Sequence, residues 1–298
     1  CIVRRMTSNR KWSAPKSDFL VPFDGSFRID RAATAPNGRV DKDSVKASRR
    51  EHTAEIYELQ RKLYADNRYA ALFVFQAMDA GGKDGTIRNV FTGVNPAGFQ
   101  VSSFKAPSDE ELDHDFLWRV AKRLPERGRI GVFNRSHYEE VLVVRVHPEF
   151  LAGQRLPNAN LETIWSERYE SIRNFEKHLA DNGTIIVKFF LNVSLEEQKN
   201  RLLRRIDKPS RNWKFNPGDV KERDRWPDYM EAFEDALNET SRPWAPWYAI
   251  PADSKPYMRM QVASIVRETL QGLGVEYPEI DDDARRALAD CRKSLEGR

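Results

Sequence analysis

One stretch, LFVFQAMDAGGKDGT at 72–86, narrows the choice of fold more than any other part of the chain. Leu72, Phe73, Val74 and Phe75 form an apolar run too short to span a membrane. It fits a strand buried on both faces of a parallel sheet. Gly81, Gly82 and Gly85 let the backbone turn sharply and come close to a ligand. Thr86 opens a helix whose N-terminal N–H groups and dipole favour an anion, and Lys83 adds a full positive charge at that spot. Together these parts make a phosphate cradle. The match to the pattern G-x-x-x-x-G-K-[ST] is partial. Gly82 and Lys83 supply the final G-K, but Ala77 stands at the first glycine position and Asp84 follows the lysine, with Thr86 two residues on. Taken alone, G-G-K-D-G-T also suits a flexible surface turn. The buried strand before it and the amphipathic Ile87, Val90 and Phe91 after it favour the cradle.

The rest of the chain alternates in the same way. Residues 1–43 have no sustained period and a basic start (Arg4, Arg5, Arg10, Lys11, Lys16), and they read as a solvated arm. Ile56, Leu59 and Leu63 put one apolar face on a helix over 44–67. Strands are expected at 70–77, 100–104 (QVSSF), 129–133 (RIGVF), 184–191 (TIIVKFFL) and near 247–250. Helices are expected from Thr86 to about Val94, from the capping-box-like Ser108 to about Arg123, over 160–182, from Ser194 to about Ile206, and from Pro256 to Leu273. Beyond Gly274 the chain turns polar and is expected to fray. This alternation predicts an α/β class with a mostly parallel sheet. Ligands of such sheets sit at the carboxyl ends of the strands. Asp79, Lys105, Asn134 with Arg135, and Asn192 follow four of the strands, which puts the reactive residues there.

Two further stretches carry chemistry. In VFNRSHYE (132–139) a buried strand ends where phosphate-binding folds usually place a metal-holding aspartate, but the residue is Asn134. Asp79 and Glu139 are then the better candidates for a metal or its water shell. Arg135 suits a forked grip on phosphate, although Arg135 and Glu139, four apart, also suit a simple helical ion pair. From Lys199 to Arg225 there are ten cations and four anions, a local balance of +6 against +4 for the whole chain. Such a run is often only a solvated face, and with Trp213 it also suits nucleic acid. After the fourth strand of a phosphate-binding fold it reads best as a lid that closes over phosphates and excludes water. His52, His114, His137, His147 and His178 show no metal-ligand spacing, and His137 reads as a neighbour of the site rather than a base. Cys1 and Cys291 form no framework and fit a reducing cytoplasm, and no apolar run reaches transmembrane length.

In this order, QAMDAGGKDGT, VNPAGF, FLWR, FNRSHYEEVLVVRV, RRIDKPSRNWKF and APWYAIPAD resemble the polyphosphate kinase 2 family over about residues 45–273. NRSHYE, in place of the DRSWYN of another class, resembles the class III members. The resemblance implies a thymidylate-kinase-like, P-loop kinase-like parallel sheet flanked by helices, with a helical lid. The P-loop phosphotransferase domain would span 44–273, with its lid at about 199–240, between an N-terminal arm (1–43) and a C-terminal tail (274–298). The activity implied is transfer of the terminal phosphoryl of inorganic polyphosphate to AMP and ADP, reversibly, with Mg²⁺ or Mn²⁺ in its place. Asp79, Lys83, Arg135 and Glu139 would be catalytic, with Asp79 and Glu139 at the metal. Gly81, Gly82, Lys83, Asp84, Gly85, Thr86, Arg135, Arg204, Arg205, Lys208, Arg211 and Lys214 would hold phosphates. Asn134, Glu139, Arg119 and Arg223 would face the nucleotide. Polyphosphate and adenine or other nucleotides are the implied partners, rather than nucleic acid or a membrane, in a homodimer or homotetramer. An ATP-dependent nucleoside monophosphate kinase and a non-enzymatic polyanion-binding P-loop protein are the alternatives.

Overall fold

The computed structural model describes residues 12–157 and 159–297. Cys1, Arg4, Arg5, Arg10 and Lys11 therefore lie outside the described residues. Five parallel strands make one sheet: β1 (Ala70–Gln76), β2 (Phe99–Ser103), β3 (Ile130–Asn134), β4 (Thr184–Asn192) and β5 (Trp247–Pro251), in the order β2-β3-β1-β4-β5. β1 is central and buried along its whole length. Its Phe73 sits level with Val132 of β3 on one side and Val187 of β4 on the other. Each fully buried large apolar side chain in such a strand contributes about 1.5–3 kcal/mol. The chain leaves β1 towards β3 and β2, then returns to β4 on the other side. The carboxyl ends of β1 and β3 thus flank the point where the winding reverses, the usual crevice for a ligand.

Seven longer helices accompany the sheet: α1 (Lys42–Asp66), α2 (Lys83–Val90), α3 (Ile164–Asp181), α4 (Leu195–Asp207), α5 (Trp226–Thr240), α6 (Lys255–Gln271) and α7 (Asp282–Glu296). α1 starts at Asp41, whose carboxylate accepts from the N–H groups of Asp43 and Ser44, and it stops at a left-handed Asn67. Its Ile56 and Leu63 are fully buried, as the spacing predicts.

Three segments differ from the sequence expectation. The helix expected over 108–123 is two short pieces, Asp109–Leu112 and Trp118–Ala121. Asp115 between them accepts from the N–H groups of Leu117 and Trp118, so its side chain competes with the helical ladder. The arm is not simply solvated over its described part. Val21 N–H donates to Trp247 O and Ala249 N–H to Phe19 O, so 19–21 covers the free edge of β5. The polar tail contains α7, capped by Asp281, with no buried residue and with Leu295 74% exposed.

A polar cluster crosses the core beneath the sheet's carboxyl end. Lys188 of β4 is 0% exposed. Its Nζ donates to Glu176 Oε2 (2.5 Å), Tyr138 Oη (2.8 Å) and the Thr240 carbonyl (2.9 Å). Tyr138 in turn donates to Glu176 Oε1 at 2.9 Å. One buried ammonium thus joins α3, β4, α5 and the turn that carries Glu139.

Candidate active site

β1 runs into the loop 77–82, and α2 begins at Lys83. Gly82 has φ 107°, which L side chains rarely adopt, so glycine is required where the loop turns into the helix. Ala77 occupies the first glycine position without harm because Gly81 lies over it. A Cβ on Gly81 would stand only 2.6 Å from that of Ala77. No side chain caps α2, and Thr86 N–H is the first to bond within the helix, to Gly82 O. The N–H groups of the preceding turn are left to face an anion. Lys83 Nζ donates to Ala77 O at 2.8 Å and lies at the floor of this turn. Burial, reinforced by Arg135, pulls its pKa down to about 8, against the opposing pull of Asp79, Glu139 and Asp84.

Arg135, just past β3, holds a left-handed backbone (φ 63°) that non-glycine residues seldom adopt. The turn is fixed by its N–H, which donates to Phe75 O at 3.1 Å. Its guanidinium reaches back to Glu139 Oε2 (2.9 Å) and Asp79 Oδ1 (2.6 Å). Glu139 foremost, then Asp79, hold its pKa well above the ordinary arginine range despite burial. The pairing of Arg135 with Glu139 that the sequence suggests is therefore present, and Asp79 is drawn into it.

Asn134 and Asp84, the two departures from the common motifs, meet each other. Asn134 Nδ2 donates to Asp84 Oδ1 at 2.9 Å, and Lys214 Nζ lies 3.6 Å from Asp84 Oδ2. In P-loop NTPases the residue after the lysine is a neutral hydroxyl and the strand-end residue is a carboxylate. Here the carboxylate has moved to the loop and the neutral partner to the strand. Asp84 can offer a phosphate its backbone N–H, but its side chain is taken up by Asn134.

The basic run divides into three. Arg201 is only 4% exposed. It donates to the carbonyls of Ala80, Gly81, Ala252 and Asp253 and to Glu197, tying the glycine loop to the turn after β5. Arg205 is spent on Asp219 and the Lys214 carbonyl, and Arg204 on Glu197. Lys208, Arg211 and Lys214 stand on the exposed turn 208–216, with Trp213 77% exposed beside them. The return leg is anchored: Arg223 donates to Gln198, which donates to Asp79 O, and Glu222 accepts from Tyr229. α5 then packs Tyr229, Ala232, Phe233, Ala236 and Leu237 into the core. Arg119 lies against Phe104 at the end of β2 and donates to Lys105 O, with its buried Nε unpaired. Arg201, Gln198 and Asp219 escape a reading by motif. The only sign of the first two is their place with Leu202 on the buried face of α4. Arg201→Met is expected to cost about 1.5–3 kcal/mol, read from a urea midpoint, and to raise the KM for the phosphate donor, because the loop carbonyls lose their staple.

Among the described residues no three His, Cys, Asp or Glu side chains converge as a ready metal cage. A Mg²⁺ that accompanies phosphates takes only one or two carboxylates and completes its shell from phosphate oxygens and water. Asp79 and Glu139, hard oxygen donors on the rim of the cradle, fit that kind of site.

A lysine under the first turn of a helix, at the switch point of an all-parallel sheet, is how P-loop kinases grip phosphate, and by fold this is a P-loop kinase-like protein. Comparison with known proteins narrows the class. The family model "Polyphosphate kinase 2" matches residues 39–277. The chain is 54% identical over 248 residues to the ADP-polyphosphate phosphotransferase of Rhodopseudomonas palustris, covering 83% of this chain and 86% of that one. It is 50% identical over 235 residues to the AMP/ADP-polyphosphate phosphotransferase of Meiothermus ruber, covering 79% and 84%. The crystal structure of polyphosphate kinase 2 from Arthrobacter aurescens superposes with a TM-score of 0.81 at 40% identity, over 89% of this chain and 93% of that one. The chain belongs to the polyphosphate kinase 2 family.

Proposed function

We propose that this polyphosphate-dependent nucleotide phosphotransferase moves the terminal phosphoryl of inorganic polyphosphate to both AMP and ADP, and that it also runs in reverse. The observation that carries the reading is Lys83 set beneath an uncapped helix N-terminus, with Lys214 of the exposed basic turn reaching Asp84 of the same helix. The relatives named for ADP and for AMP/ADP support both acceptors. The acceptor is a phosphate oxygen, already anionic at neutral pH, so no general base is required. Positioning and charge neutralisation do the work. Lys83 and the α2 N–H groups hold the transferred phosphoryl. Arg135 turns its fork to the same group, and the cations of 208–214 cover the donor and exclude water. A Mg²⁺ held by Asp79 and Glu139 would neutralise phosphate charge at the site. Among the described residues no helix is long and apolar enough to cross a membrane.

The deciding assay follows ATP formed from AMP and polyphosphate with no nucleotide donor present. ATP should appear. A folded protein that phosphorylates AMP only from ATP is a nucleoside monophosphate kinase, and one that binds polyphosphate without turnover is a binding protein. Glu139→Asn tests the acceptor. It is expected to lower kcat/KM for AMP about tenfold more than for ADP, a differential of about 1.4 kcal/mol. Equal losses would remove Glu139 from acceptor choice.

A further inference from the structure

His147 is no part of the cradle, yet it stands between two segments that frame it. It ends the short helix Val143–Val146, which follows the turn His137–Val141 that carries Glu139. Its Nε2 lies 3.0 Å from Glu222 Oε2, on the return leg of the basic run, and its Nδ1 lies 3.1 Å from Glu149 Oε1. The ring stacks on Phe150 with centroids 5.4 Å apart, and Tyr229 of α5 is tilted against it at 6.5 Å. An ionised carboxylate accepts and does not donate, so a ring bonded to both must carry a proton on each nitrogen. The arrangement is that of the imidazolium.

The chain on either side shows what this contact holds. Lys208, Arg211 and Lys214 hang between α4 and the helix Pro217–Glu222. The α4 end is fixed to the glycine loop by Arg201. At the other end Glu222 meets His147 and accepts from Tyr229 Oη at 2.6 Å, while Arg225 Nη2 donates to Val146 O at 3.0 Å. The return leg is thus tied to residues 146–147 twice. The charged and titratable groups about the ring are Glu149 on its own turn, Glu222 and Arg225 on the return leg, with Arg225 paired to Asp228, and Tyr229 of α5. Burial opposes the charge on His147, but Glu222 and then Glu149 outweigh it and raise its pKa above the ordinary 6.5. The charged contact is therefore complete below 6.5 and lost as the pH rises through the raised value. Loss of the proton leaves one carboxylate facing a lone pair and the other a neutral, weaker donor.

We propose that His147 is a positioning residue for the donor: as an imidazolium it fastens the return leg, so that Lys208, Arg211 and Lys214 are held over the polyphosphate, and donor binding weakens as the ring loses its proton. The proposal rests on polyphosphate being the donor and adds the residue through which its binding follows pH.

The test measures kcat and the KM for polyphosphate, with AMP saturating, between about pH 6 and about pH 7.5, for the wild type, His147→Gln and Glu149→Gln. In the wild type KM should rise about fivefold over this window, the difference between a charge-assisted and a neutral hydrogen bond, while kcat changes by less than about twofold. His147→Gln keeps a donor but cannot titrate, so its KM should stay level near the wild type's high-pH value. Glu149→Gln, on an exposed side chain, should move the midpoint of the rise towards 6.5 without abolishing it. An NMR titration of the His147 imidazole should move with it. Titration of the substrates is common to all three proteins and cancels in the comparison. A level KM in the wild type, the same rise in His147→Gln, or an unmoved midpoint in Glu149→Gln overturns the role of His147 while leaving polyphosphate as donor. A loss confined to kcat or to thermal stability does the same. Should His147→Gln fail to fold, the midpoint in Glu149→Gln decides. A folded wild type that turns over no polyphosphate at any pH overturns the donor reading itself.

Discussion

Lys83→Ala is expected to lower kcat by about 10³-fold while leaving the fold intact. Among the described residues the ammonium bonds only to the Ala77 carbonyl, and α2 keeps its packing through Thr86, Ile87 and Val90. Its loss therefore removes charge from the cradle without opening the core. Circular dichroism and a thermal melt close to wild type would accompany the lost turnover. Near-normal rates would show that the loop is a turn with no part in transfer. The same group sets a pH limit. Its pKa lies near 8 in the free enzyme, so kcat/KM at low polyphosphate should fall as the pH rises through about 8 and the ammonium is lost. Stability moves the other way. The folded pKa is below the ordinary 10.5, so between about 8 and 10.5 the unfolded chain binds the extra proton and the fold gains with rising pH. The activity limb should be absent from Lys83→Ala and the stability limb shallower, since Lys188 and Lys255, also drawn down to about 8 by burial, keep their share of it.

Glu176→Ala is expected to destabilise the protein by about 3–5 kcal/mol, because it leaves the Lys188 ammonium buried without its counter-charge. Burial works to raise the pKa of Glu176, but the nearby Lys188 keeps it below its ordinary value, so the pair is ionised. Removing both charges with the Glu176→Leu/Lys188→Met pair should recover most of the loss, since apolar replacement of a buried ion pair is often neutral. Chemical denaturation of the two variants gives the comparison. A small loss in Glu176→Ala would mean that Lys188 sheds its proton at little cost. Tyr138 donates to Glu176 and precedes Glu139, so acceptor use should suffer in Glu176→Ala beyond the loss of folded protein.

Much of this was legible in the chain. The five strands fall within a residue or so of their expected limits, four of them because each is a short apolar run bounded by turn residues, while the edge strand β2 (FQVSS) is more polar. Lys83, Asp79 and Arg135 announce themselves by local pattern, and the structure brings them together. What was hidden depends on distant partners. Arg201 looks like one more cation of a basic run, and only the fold reveals that it faces the carbonyls of Ala80 and Gly81. Arg205 belongs to the same run but is spent on Asp219. The helix expected over 108–123 failed at Asp115, whose competing hydrogen bonds the apolar spacing does not register. The arm shows no period because its order comes from the edge of β5.

Asp84 and Asn134 are fifty positions apart and share one hydrogen bond, so neither is free to change alone. Asn134→Asp would set two carboxylates face to face at the present 2.9 Å, and Asp84→Ser would leave the pair with no charge at all. A lineage that crosses between the common P-loop pair and this one must pass through one of those two steps. The two positions are therefore expected to covary as a unit, each holding the other in place across evolutionary time.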